Sequence, residues 1–403
     1  PKRVIPTVAG IFDIDGWRLS NKIDLMDNTP LLFNLGCIEA VIPVDSAQDA
    51  FTQNGLQGLE DYAWSLCPDW KKFLESTFRH DDPECAPKVI RELHKWIGNL
   101  LTGSIKTHSG NIGWLIGAPG AGKSVMLKVL EKLLGKKSIV SSTMDNLDKQ
   151  FHLSSWIGKM LAMFPDMDVG RVDKRKIVEL LKLISGSDPV AIDRKYLSEV
   201  PSFRLDTRIV VSANQMPSIP DPTLALVRRS IAFHFRYIVP ECERDDDLPD
   251  RLTTPDSLAG IMLLCLIGLK NIDADGGFQQ PIWYASLIKD FKAQSSPYAM
   301  MIEEYLDQDA FNNQDAWTST KDLFALYKRY CEEHGHNHVG VQATVISQLK
   351  SCLNGCGWML VEERIVDGKK GYHGIQINAR GEALMNTAEG GEAGGHDTFT
   401  PPF

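Results

Sequence analysis

An α/β domain with a mostly parallel sheet is expected at the centre of this sequence, and three observations carry that expectation. Strand-like apolar runs at Ile112–Ile116, Ser138–Ser141, Met160–Phe164 and Arg208–Ser212 alternate with helical stretches between residues 106 and 240, the pattern of strand–helix units. The first run passes through a Gly-rich turn directly into a helix, Ser124 to Leu134, stopped by Gly135. The flanking regions lose this alternation and show helical spacing instead.

Taken in order, residues 1 to about 60 read as short strands and turns: Ile11-Phe12-Asp13-Ile14-Asp15-Gly16 is a strand ending in a turn, and Ile38 to Val44 is a second apolar run. From Asp61 to Leu101, Trp64, Trp70, Phe73, Leu74, Phe78, Ile90, Leu93, Trp96, Ile97 and Leu100 recur at helical spacing, broken near Pro83 and Pro87, so residues 61–105 should form a helical collar. The α/β core spans 106–240. A charged break, Glu241 to Asp247, opens a helical lid or linker, 241–296, whose main helix runs from about Asp256 to Ile272 and closes at Gly276-Gly277. Residues 297–385 give helices at Tyr298–Leu306, Ser319–Glu333 and Val341–Leu353, then strand-like runs Met359–Val366 and Tyr372–Ile377 around Asp367-Gly368, a hairpin turn signal. Helices followed by a two-stranded wing predict a winged-helix domain. The Gly-rich end, 386–403, is expected to be disordered.

The chain has 403 residues and 43% hydrophobic residues, enough for a sizeable core in two or three units. Its eight cysteines show no CxxC pair, as in reduced cytosolic proteins, which predicts a cytoplasmic location in a bacterial host or infected cell. Cys331, His334, His336, His338, Cys352 and Cys356 lie close in sequence, but their spacing matches no zinc finger or ribbon and favours a loop-and-core reading. The longest apolar run, Gly260 to Leu269, falls short of the ~20 residues that span a bilayer and reads as a buried helix, with no membrane role. Opening at Pro1 rather than Met leads us to expect a fragment of a longer polypeptide.

Gly117-Ala118-Pro119-Gly120-Ala121-Gly122-Lys123-Ser124 matches the P-loop pattern between a strand and a helix. There the glycines let backbone N–H groups wrap phosphates, the helix N-terminus adds its positive dipole, Lys123 reaches the β and γ oxygens of a triphosphate and Ser124 ligates Mg²⁺. The bland alternative is a Gly-rich turn. Met160 to Phe164 delivers Asp166 and Asp168 to a strand end, where one acid can hold Mg²⁺ and another polarise the attacking water; a solvated turn is the competing reading. Asn214, ending the Arg208–Ser212 run, can sense the γ-phosphate or simply form an Asx turn before Pro217. Arg228-Arg229 can form a solvated face or reach the nucleotide of a neighbouring subunit.

The ordered series HSGNIGWLIGAPGAGKSV, GKMLAMFPDMD, LKLISGSDPVAIDRKY, IVVSANQMP and LVRRSIAFHF resembles the superfamily 3 helicases of the AAA+ class, specifically the primase-helicases of phages, plasmids and large DNA viruses. Asn34-Leu35-Gly36, Cys67-Pro68-Asp69-Trp70 with Phe73-Leu74, Leu248 to Leu269 and the winged end extend the resemblance over most of the chain. It implies a P-loop AAA+ ATPase core, a hexameric homo-oligomer, ATP and Mg²⁺ as cofactors, single-stranded and forked DNA as partners, 3′ to 5′ translocation, and in some members an upstream primase domain. Carried onto this chain, Lys123 and Ser124 serve phosphate and Mg²⁺, Asp166 and Asp168 the second nucleotide motif, Asn214 the sensor, and Arg228 or Arg229 a finger in trans. Arg194 and Lys195 place cations in the channel, where composition alone favours a solvated hairpin. Lys369 and Lys370 at the wing tip are candidate contacts to duplex phosphate or a solvated turn. The family usually has a glutamate after a small residue where this chain has Pro165-Asp166, which leaves open which aspartate is catalytic. A net charge of −9 excludes a general basic coat, yet a ring needs few channel cations per subunit. The competing class is a nucleotide-dependent initiator or scaffold ring that binds DNA without unwinding it.

Overall fold

A computed structural model describes residues 4–7, 10–13, 18–20, 43–101, 112–147, 149, 152–166, 174–186, 188–193, 200–216, 225–279, 296–307, 309–310, 313, 315–334, 340–355, 363–366 and 368–386. The chain divides into two compact units, Pro1–Ile219 with Leu226–Phe291, and Pro220–Ala225 with Lys292–Phe403.

The first unit begins with a three-stranded antiparallel sheet, β1 (Val4–Thr7), β2 (Gly10–Asp13) and β3 (Arg18–Ser20). Helix α1 (Val44–Leu66) follows, so residues 44–60 are helical where strands and turns were expected. Asn54 and Gly55 interrupt the periodicity in sequence. In the fold they form only a kink, with Gly55 at φ 59°, beyond which the helix resumes. Helices α2 (Pro68–Thr77) and α3 (Cys85–Leu100) complete the collar. Pro87 sits in the first turn of α3, where its missing N–H has no partner to lose.

The core sheet has five parallel strands: β4 (Ile112–Gly117), β5 (Ile139–Ser141), β6 (Leu161–Phe164), β9 (Arg208–Ala213) and β10 (Ser230–Phe235). Their spatial order is β10-β4-β9-β6-β5. Strands β4 and β9 are buried at every residue, as expected of a sheet covered on both faces. Helices α4 (Lys123–Leu134), α5 (Met144–Leu147), α6 (Lys174–Ser185) and α7 (Ala225–Arg228) connect the strands, and β7 (Pro189–Ile192) pairs antiparallel with β8 (Val200–Arg204).

Aromatic packing seats the collar on this sheet. Trp96 of α3 lies against Gly113 of β4, where any Cβ would strike the indole. Its ring is 5.6 Å from that of Phe233, and Phe78 is 5.4 Å from Phe235. After the short α8 (Leu248–Leu252), α9 (Pro255–Ala274) packs on α3 and α1. Glycines make the close approach: a Cβ on Gly260 would come within 2.6 Å of the Ala63 carbonyl, and one on Gly268 within 2.5 Å of the His94 backbone. At twenty residues α9 is longer than the apolar run predicted, and by length and composition could cross a membrane; here 78% of its apolar window is buried inside the protein. Lys95 of α3, fully buried, holds the helix to the end of α9 through Asp275 at 2.5 Å and pairs with Glu92 of its own helix at 2.6 Å.

The second unit packs α10 (Pro297–Tyr305), α11 (Thr320–Glu333), α12 (Gln342–Gly355) and α13 (Ala379–Asn386) with an antiparallel sheet. Its strands β11 (Trp317–Ser319), β12 (Glu363–Val366) and β13 (Lys369–His373) run in the order β11-β13-β12. Ser296 and Ser319 cap α10 and α11, each accepting a backbone N–H. Cys331 and Cys352 are core residues of this unit, and His334 stacks on Tyr330 at 4.2 Å. His336, His338 and Cys356 lie outside the described residues.

Candidate functional site

Strand β4 ends at Gly117, and the chain turns through Gly120 (φ 81°) and Gly122 (φ 89°) into α4, a left-handed geometry that favours glycine. Gly122 is doubly constrained, because a Cβ there would also meet the Phe73 ring of α2 at 2.9 Å. No side chain caps α4, so its first-turn N–H groups remain as donors for an anion.

Lys123, only 9% exposed, folds back into this turn. Its Nζ donates to the Gly117 carbonyl, to Ala118 O at 2.9 Å and to Asn214 Oδ1 at 3.2 Å. Burial lowers its pKa, partly opposed by the nearby Asp166 carboxylate.

Sheet order explains the convergence. Because β9 lies between β4 and β6, Asn214 past the end of β9 and Asp166 past the end of β6 stand side by side along the carboxyl edge, beside the Gly-rich turn. That edge is where open α/β sheets bind ligands. Pro119, Ala121, Ser124, Asp166 and Asn214 line one cleft of about 820 Å³, within the range of small-molecule sites. Ser124 and Asp166, both exposed there, supply the hydroxyl and carboxylate oxygens that a hard divalent cation takes.

Two walls of the cleft were not found from sequence. Helix α2 contributes Asp69 and Phe73, and residues 237–251 contribute Tyr237, Arg244 and Arg251. Arg251 joins the walls, with Nη2 2.5 Å from Asp245 and Nε 3.2 Å from Asp69. Arg79 stacks 4.4 Å over the Tyr237 ring, whose hydroxyl donates to Glu243 at 2.9 Å. The motif Cys67-Pro68-Asp69-Trp70 and the charged break at 241–247 were the available signals, but neither spacing showed that these segments meet.

The adjacent arginines separate in role. Arg229 Nη1 donates to the Lys182 carbonyl at 2.6 Å, closing the last turn of α6, while Arg228 is exposed. Both precede β10, whose first residue pairs with Ile112 and whose last pairs with Gly117. The arginines therefore stand at the amino edge of the sheet, a strand length of ~16 Å from the Gly-rich turn. Asp168, Arg194 and Lys195 lie outside the described residues. Lys369 and Lys370 are exposed on β13 of the second unit. Among the described residues no three His, Cys, Asp or Glu side chains gather as a metal cluster.

A family of unknown function, DUF5906, matches residues 115–229, the stretch from β4 to Arg229. No curated protein matches the chain. Among solved structures, the apo form of the NrS-1 C-terminal region is similar at 13% identity over 77% of this chain and 76% of that one, with a TM-score of 0.47. Two A-form apo structures of that region give TM-scores of 0.42 and 0.41, also at 13% identity, each covering 76% of this chain and 74% of theirs.

Proposed function

We propose that this chain is an ATP-hydrolysing motor of the superfamily 3, AAA+ type, which assembles into a ring and drives DNA strand separation. The observation that supports it most is the meeting of Lys123 Nζ with Asn214 Oδ1 at 3.2 Å beside Asp166, in a cleft floored by a glycine turn and an uncapped helix N-terminus. In this reading the backbone of Gly117 to Gly122 and Lys123 hold the phosphates of ATP. Ser124 and Asp166 would hold Mg²⁺, which supplies charge neutralisation at the γ-phosphate. Asp166 or Asp168 orients the attacking water, and Asn214 reports whether a γ-phosphate is present.

The amino-edge position of the arginine pair supports hydrolysis in trans. Neither residue can serve its own cleft across ~16 Å of strand, whereas a neighbouring subunit in a ring can present its Arg228. Arg228 is the more exposed of the two, which makes it the better finger. Arg194 and Lys195 then provide the channel grip, and the second unit, which we read as a winged helix, brings Lys369 and Lys370 to duplex phosphate.

ATP-dependent unwinding of forked duplexes, one with a 3′ and one with a 5′ loading tail, tests the proposal: strand separation is expected from the 3′-tailed fork. The Pro165-Asp166 sequence favours the second reading, a ring that binds nucleotide and loads on DNA without unwinding. That reading gains if ATP-dependent binding appears with no separation on either fork, and absence of ATP binding removes both.

A further inference from the structure

We propose that the helical collar carries a second binding site, a cavity among α1, α2, α3 and α9 that takes an amino-bearing nucleobase together with its phosphate. The cavity measures about 410 Å³, within the range of small-molecule sites. It shares no lining residue with the Gly-rich cleft.

His94 of α3 sets the chemistry of the cavity. The residue is 5% exposed, and its Nε2 accepts the Trp70 indole N–H at 3.0 Å. A neutral imidazole that accepts at one nitrogen carries its hydrogen on the other, and burial keeps this ring neutral by pushing its pKa down to about 3. Nδ1 is therefore a donor. His94 lines the cavity and Trp70 does not, so the ring turns Nε2 away and presents its Nδ1 side, for which no acceptor is found among the described residues. A buried donor facing a cavity calls for a ligand that brings an acceptor.

Trp64 of α1 supplies a flat surface beside that donor. It is partly exposed and stands edge-to-face with His94 at 5.4 Å, while the buried Leu264 and Ile267 of α9 give the cavity its apolar side. Lys71 Nζ of α2 lies 5.9 Å over the Trp64 ring and has no carboxylate partner among the described residues. Arg91, by contrast, is already bound by Asp275. Glu60, Glu75 and Asn271 line the same cavity, and their side-chain oxygens accept N–H groups.

One ligand chemistry uses all of these groups. A planar base stacks on an aromatic side chain and is read by hydrogen bonds at its edge, and Lys71 is the cation available to its phosphate. The acceptors choose among bases. Adenine, cytosine and guanine carry an exocyclic amine that can donate to the Glu60 or Glu75 carboxylate, whereas thymine has none. An apolar ligand would leave the His94 donor unsatisfied.

The site is independent of the motor reading, and its base can come from a free nucleotide or from an unstacked position of a single strand. Binding of dCMP, dTMP, deoxycytidine and oligodeoxycytidylate to the full chain, in EDTA and without triphosphate, tests both sources. The wild type should bind dCMP about tenfold more tightly than dTMP, and dCMP should move the His94 Nδ1 resonance in nitrogen NMR. Trp64→Leu should weaken dCMP about tenfold. Lys71→Ala, at an exposed position, should weaken dCMP about fivefold and deoxycytidine less than about twofold, with circular dichroism checking that each variant folds. A loss on both dCMP and oligodeoxycytidylate in Trp64→Leu assigns the site to a base of a strand, and a loss on dCMP alone assigns it to the free nucleotide. No binding of dCMP, unchanged dCMP affinity in both variants, equal binding of dTMP or a stationary His94 resonance would overturn the proposal. So would dCMP binding that is lost in Lys123→Ala and kept in Trp64→Leu, which would place the base in the Gly-rich cleft. ATP hydrolysis by the same preparation reports on the motor reading alone.

Discussion

Replacing Lys123 by alanine should divide nucleotide binding from turnover, and the geometry sets the size of each effect. The Lys123 ammonium donates to Gly117 O, Ala118 O and Asn214 Oδ1. A triphosphate therefore exchanges protein acceptors for phosphate oxygens instead of satisfying a bare cation. A charge-assisted hydrogen bond contributes ~1.5–3 kcal/mol, but the net gain on exchange is nearer ~1–2 kcal/mol, or about 5–30-fold in Kd. Turnover is affected more, because a preorganised donor aimed at the charge that develops as the β–γ bond breaks contributes ~10²–10³ in rate. Lys123→Ala should thus bind a fluorescent ATP analogue within ~30-fold of the wild type while phosphate release falls at least ~100-fold. Thermal unfolding should shift by only a few degrees, since the carbonyls lose a donor and the core loses nothing. Turnover within ~3-fold of the wild type would refute the assignment of the cleft. Loss of binding by more than ~1000-fold would refute the exchange argument.

The remaining predictions test other parts of the proposed motor. Asp166→Asn and Asp168→Asn should differ: loss of turnover with retained ATP binding marks the water-orienting acid, a raised Mg²⁺ requirement marks the metal partner, and normal hydrolysis in both removes the second motif. Specific activity should rise with protein concentration. Arg228→Ala should bind ATP but hydrolyse it poorly, and mixing it with Lys123→Ala subunits should restore some activity; full activity in a demonstrated monomer contradicts the trans arrangement. Arg229→Ala should instead lower stability by ~1–3 kcal/mol, read by urea unfolding, because the α6 carbonyl loses its partner. Arg194→Ala with Lys195→Ala should reduce single-strand affinity irrespective of sequence and lower the salt slope by ~1.4, with DNA-independent ATP hydrolysis preserved; normal unwinding would place the grip elsewhere. His94 is buried and accepts the Trp70 indole N–H at 3.0 Å, and burial pushes its pKa down to about 3. The unfolded chain therefore takes up the proton first, so stability holds above pH 6.5 and falls by ~1.4 kcal/mol per unit as pH drops from there toward 3. His94→Gln should flatten that part of the profile in denaturant titrations, and an unchanged slope would show that other groups control it.

The strands of the core were legible because each is a short apolar run bounded by turn residues, and Arg208 to Ala213, buried throughout, reads almost continuously apolar. The Gly-rich turn was legible because its chemistry is local. What sequence could not show was adjacency. Nothing around Asn214 states that β9 inserts between β4 and β6, yet that insertion brings its amide to Lys123. The split between Arg228 and Arg229 was equally hidden, since it depends on the end of α6 lying beside β10. Residues 44–60, expected as strands and turns, are helical, and the helix continues past the kink at Asn54-Gly55 because residues on both sides, Ala47, Leu59 and Ala63 among them, are buried against tertiary partners. Strand β11, three residues long, is too short to carry a period.

The order of the core sheet also governs how the protein is made. Strand β4 carries the Gly-rich turn, but both of its neighbours, β9 and β10, lie about a hundred residues further along the chain. On a ribosome, β5 and β6 can pair soon after they emerge. Strand β4 has no hydrogen-bonding partner until residue 208 and no second one until residue 230. Its fully apolar edge is exposed to chaperones or to aggregation during that interval. A nascent chain stalled before β9 should therefore be protease-sensitive at Ile112–Gly117, and protection there should appear only as the last two strands are released.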